Sequence, residues 1–223
     1  MLSLPSQSSR VRDPGGPSTS PVNPFNFDGG DVRIVVKGSI TKEPVTGLVA
    51  SQAMSLASPV WKKLIFPPWE PTYSGKQKEI DFSHDSPAAL LVLLNIAHVR
   101  FSRIANTQLG YRMLYDLAIL CDQYDCVQLV RPWMDKWLVH ACTESKQEGQ
   151  EGWLFIAWVF GREKTFEDLA QLLVKRSPTS PTGQCLRYSG QFLPEPLPPG
   201  IVGMSCLLSL STPGVFELIF PLR

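Results

Sequence analysis

The chain is poor in the residues that hold metals and bridges. Three histidines and five cysteines occur in 223 residues, the cysteines being Cys121, Cys126, Cys142, Cys185 and Cys206, with no CxxC pair among them. An odd number at irregular spacing fits neither a disulfide framework nor a zinc finger, and free reduced thiols place the chain in the cytoplasm or nucleus. His84, His98 and His140 share no i,i+4 ligand pattern, so no metal site is expected. An excess of one charge is also missing. The formal net charge is +1 and the isoelectric point near 7.6, which supplies no basic field for direct nucleic-acid binding. Runs of the GxxxxGKS, GxGxxG or GxSxG type are absent, leaving no motif for a phosphate, a dinucleotide or a strained serine nucleophile. The opening MLSLPSQSSRVRDPGG has no apolar run of the signal-peptide kind.

What is present is an ordinary globular composition, 43% hydrophobic and 18% charged, enough to bury one core. Proline maps its extent. Of 20 prolines, only Pro87 and Pro132 lie between Thr72 and Ser177, so the long regular elements are expected there. Residues 1–28 combine Pro, Ser, Gly and Asn and read as a disordered arm. Residues 29–142 read as the main domain, 143–176 as a helical extension, 177–200 as a Pro-rich linker and 201–223 as an apolar tail.

Within the domain, Asp31–Lys37 alternates Val32, Ile34 and Val36 against Arg33, Val35 and Lys37, the pattern of a half-buried strand. Val49–Leu56 reads as a short helix. A second begins at Ser58–Pro59, with Ser as cap and Val60, Trp61, Leu64 and Ile65 on its apolar side. Lys78–Phe82 alternates as another strand with Ile80 and Phe82 on one face. Ser86–Pro87 repeats the cap-plus-proline start before Ala88–Leu94, an apolar run that predicts a central helix buried nearly all round. Met113, Leu117, Leu120 and Tyr124 recur at helical spacing. Asp125 with Gln128 predicts a capping box for a helix carrying Val127, Val130, Met134, Trp137, Leu138 and Ala141, kinked or restarted at Pro132. Trp153–Phe160, stopped by Gly161, and a helix capped by Thr165 with Asp168 and faced by Phe166, Leu169, Ala170 and Leu173 predict an αα-hairpin. Leu90, Leu94, Leu117 and Trp137 are expected in the core.

The segments DVRIVVKG, ASQAMSLASPVWKKL, KEIDFSHDSPAALLVLLNIAHVR and LYDLAILCDQYDCVQLVRPWMDKWL follow one another as in BTB/POZ domains, and the chain most resembles those of filamentous fungi. The resemblance covers about Gly29–Cys142. It implies an α+β fold, a three-stranded sheet wrapped by helical hairpins and followed by a C-terminal αα-hairpin, serving protein interaction without catalytic chemistry. GWLFIAWVFGREKTFEDLAQLL resembles the helical extension that follows such domains. In many animal members a strand aspartate faces a basic residue across a swapped dimer. Asp31 matches that aspartate, but the matching stretch reads Gly47, Leu48, Val49, Ala50, Ser51, so a charge-locked homodimer is not expected.

No catalytic, cofactor-binding or metal-binding residue is assigned. Cys121 and Cys126 with His140 could compose a thiol nucleophile and base, but Cys121 lies on a core-facing stripe, where cysteine packs as a small hydrophobe. Trp133, Trp137, Trp153 and Trp158 are read as helix packing, and Lys62–Lys63 and Arg100–Arg103 as solvated faces. The expected function is a non-enzymatic adaptor or scaffold. Its partners are other proteins bound through the BTB domain, a cullin-type ubiquitin-ligase scaffold among them, in a homo- or hetero-oligomer. The alternatives are a nuclear transcription or chromatin regulator, and a hydrolase using Cys121 and His140. For residues 201–223 a membrane span is disfavoured by Pro213 and the hydroxyl residues. Gly203–Met204–Ser205 can be encoded by codons containing GTATGT, a common fungal donor site, so the tail is read as translated intron.

Overall fold

Alternation along β1 (Val32–Lys37) buries Val32, Ile34 and Val36 and leaves Arg33 and Lys37 in water, as a strand with one covered face requires. The computed structural model describes residues 23–38, 43–68, 78–139, 149–176 and 195–199. Among these, β1 is the centre of a three-stranded mixed sheet of order β2-β1-β3, with β2 (Pro44–Val49) antiparallel and β3 (Glu79–Phe82) parallel to it. Ile34 pairs with Gly47 on one side and Ile80 on the other. The fold class is α+β.

The second strand corrects the reading of Val49 as the start of a helix. Val49 pairs with Val32 as the last residue of β2, and α1 (Ser51–Ala57) begins only after Ala50, whose backbone is still extended. A second correction concerns residues 23–28, which composition assigned to a disordered arm. Phe25 and Phe27 are buried, Leu48 N–H donates to Phe25 C=O, and Phe27 N–H donates to Leu48 C=O, so this segment covers the outer edge of β2. Gly47 makes the approach feasible: a Cβ there would lie 2.5 Å from the Phe25 carbonyl oxygen.

In α2 (Pro59–Ile65) the Ser58 hydroxyl accepts the Trp61 N–H at 3.0 Å, the cap expected from Ser–Pro, and donates to the Tyr124 carbonyl. Trp61 and Ile65 face inward, whereas Leu64, expected on that side, is exposed. Between β3 and the helices that follow, α3 (Pro87–Ala97) runs through the centre with Ala89, Leu90, Leu93 and Leu94 fully buried. Its burial is not all round, because Ala88 is exposed and Leu91 and Val92 are half-buried; nor does the Ser86 side chain form the expected cap. Along α4 (Tyr111–Gln123), Leu114, Leu117, Ala118, Leu120 and Cys121 are buried.

Pro132 divides the next helix as expected: α5 (Val127–Val130) gives way to a 3-10 turn at Arg131–Trp133, and α6 (Met134–Trp137) restarts beyond it. The expected capping box is not formed, since Cys126 occupies the cap position without a side-chain cap bond and Asp125 adopts a left-handed backbone, φ 48°. Every residue of α7 (Trp153–Val159) is buried. It packs on α4, where Tyr111 meets Trp153 and Tyr115 meets Phe155, and it forms the expected hairpin with α8 (Glu163–Arg176). Thr165 is no cap, because α8 already starts at Glu163. From the predicted linker, residues 195–199 rest on this packing, with Pro198 buried and Tyr115 Oη donating to the Pro196 carbonyl at 3.3 Å. Ala141, Cys142, His140 and the tail 201–223 lie outside the described residues.

Candidate interaction surface

The two thiols among the described residues lie in the interior. Cys121 and Cys126 are buried, and the hydrogen bond that the Cys121 thiol donates to Cys126, together with burial, pushes the Cys121 thiol well above its ordinary value, away from the thiolate that nucleophilic attack needs. His84 is exposed and His98 half-buried, and no group of three His, Cys, Asp or Glu side chains among the described residues could hold a metal ion. No described helix is long and apolar enough to cross a membrane. Trp137, Trp153 and Trp158 are buried, Trp133 only partly. Lys62, Lys63 and Arg103 are solvated, while Arg100 is held by the Asn26 carbonyl, the Asp28 carboxylate and the face of Phe27.

Two side chains hold the start of α1. Asp31, at the foot of β1, accepts the Ser51 N–H at 2.7 Å on one oxygen and the Ser51 hydroxyl at 2.7 Å on the other. Partial burial works to raise the Asp31 pKa, but the two Ser51 bonds outweigh it and hold the carboxyl below its ordinary value of 3.8. One residue earlier, Ala50 N–H donates to His98 Nε2 at 2.9 Å. Since α1 has no cap of its own side chains, these two groups receive amide hydrogens that the helix leaves unpaired. The outward face of α1 carries Leu56, 89% exposed.

A second surface follows α3. Val99 N–H donates to Ile96 C=O and Arg100 N–H to Asn95 C=O, the paired bonds of a Schellman cap, with Val99 at the left-handed position. The same bonds close α7, where Gly161 takes that position at φ 63°. A β-branched residue at φ 61° is strained where glycine is not. The cap turns the chain so that Val99 and Phe101 face solvent, 68% and 50% exposed, with Phe101 against Trp133 at 5.7 Å. Spacing in the sequence gives no sign of this turn, because valine is a poor residue for it.

A cleft of about 400 Å³ opens between β1, α3 and α4, lined by polar groups that include Lys37, His84, Asp85, Arg112 and Asp116. At its edge Tyr124 Oη donates to Asp85 Oδ2 at 2.5 Å. Burial raises the Asp85 carboxyl above its ordinary 3.8 despite that bond, and burial beside Asp85 raises the Tyr124 phenol. Among the described residues, charges of both signs line the cleft. A scan against protein-family models and a search of curated proteins both return no match to this chain.

Proposed function

We propose that the chain is a BTB/POZ-like protein-interaction module acting as a non-enzymatic adaptor or scaffold, with a cullin-type ubiquitin-ligase scaffold among the partners. Support comes from the order β2-β1-β3, with an antiparallel and a parallel pairing on the same central strand and the α1–α2 pair inserted before β3. The observation that carries the functional part is the display of large apolar side chains on ordered backbone, Leu56 on α1 and Val99 with Phe101 on the cap of α3. Apolar groups held in water by a fixed turn are what a protein partner covers.

The test is affinity purification from the native cell followed by mass spectrometry, with Leu56→Asp and Phe101→Asp variants run beside the unmodified chain. Partner proteins captured by the unmodified chain and lost from at least one variant are the expected result. Capture unaffected by both substitutions, in variants that melt like the parent, would overturn the reading.

A further inference from the structure

We propose that His98 is a proton-operated latch that ties the start of α1 to the end of α3 and opens in mild acid. The ring is committed to one tautomer. Nε2 accepts the Ala50 N–H at 2.9 Å, so Nε2 carries no hydrogen, and Nδ1 bears the hydrogen that it donates to the Leu94 carbonyl at 2.8 Å. A proton taken from solvent can add only at Nε2. Two N–H groups then face each other, and the Ala50 amide loses its acceptor. The imidazole also stacks on Phe27 at 4.1 Å, so the same ring joins α3, the entry to α1 and the segment that covers β2.

Burial of the ring sets the direction. Burial and then the nearby Arg100 hold the His98 pKa below 6.5, against the Leu94 bond, which raises it. Asp28 is engaged by Arg100, and Asp31 by Ser51, so neither carboxylate is committed to the imidazolium. A folded-state pKa below the unfolded one means that the latch is fully closed above about pH 6.5 and weakens as the pH falls through the lower folded value. Asp31 keeps its charge and its grip on Ser51 through that interval. The start of α1 therefore passes from two tethers to one.

Nitrogen-15 NMR of the full chain tests this between about pH 7.5 and 5. Expected are an Nδ1–H signature for His98 at the upper end, a midpoint below 6.5, and a roughly tenfold fall in hydrogen-exchange protection at Ala50 with the same midpoint. His98→Gln, which offers an uncharged acceptor, makes the Ala50 protection independent of pH over that range. An Nε2–H tautomer, a midpoint at or above 6.5, or Ala50 protection that stays level while His98 titrates would each overturn the proposal.

Discussion

Asp31 and Ser51 are joined twice, by the Ser51 amide and the Ser51 hydroxyl, each at 2.7 Å to a different carboxylate oxygen. Asp31 is thereby satisfied within the chain. One carboxylate then caps α1 from a neighbouring strand.

Asp31→Asn should therefore lower stability without changing assembly. An amide keeps one acceptor and loses the charge, at a cost of about 1 kcal/mol for a partly solvated site. Urea titration measures the first effect and light scattering the second; a dimer falling to monomer would contradict the internal assignment. The contribution holds above the ordinary carboxyl value of 3.8 and is lost as the pH falls through the lower folded value.

Leu117→Ala removes a fully buried side chain from α4 and should cost roughly 2 to 5 kcal/mol in chemical denaturation. A loss below about 0.5 kcal/mol, the range of surface changes, would place Leu117 outside the core.

Val99→Gly should stabilise the fold. The cap after α3 demands a left-handed residue, and relief of the valine strain, roughly 1 to 2 kcal/mol, exceeds the extra chain entropy of glycine. A lower melting temperature for this variant would refute the strain.

Asp85→Asn should flatten the pH dependence. Because burial raises the Asp85 carboxyl, its protonated form is favoured on folding, and that advantage is complete below 3.8 and disappears as the pH rises through the folded value. At about pH 7 the variant should equal or exceed the parent, and its margin should shrink towards pH 4. A margin that grows in acid would contradict the burial argument.

Elements with strong periodicity were readable from the sequence: β1, β3, α3, α4 and the break at Pro132 all stand where alternation, helical spacing or proline chemistry places them. The strand β2 was not, because its inward position opposite Ile34 is Gly47, which adds no side chain to an alternation pattern. Residues 23–28 do not stand out in the sequence because Pro, Ser, Gly and Asn dominate the average over residues 1–28, while burial depends on Phe25 and Phe27. The outward display of Val99 depends on tertiary context overriding a residue's backbone preference. No spacing rule connects His98 to an amide 48 residues away in the chain.

The parallel pairing of β3 also orders events on the ribosome. The β1–β2 ladder joins residues close in the chain and can close soon after both emerge, whereas β3 follows the whole α1–α2 pair. During that interval the second edge of β1 has its backbone N–H and C=O groups unpaired and is open to any extended chain that reaches it. Early synthesis is thus the stage at which a chaperone, or a slow stretch of codons, would have the greatest effect on yield.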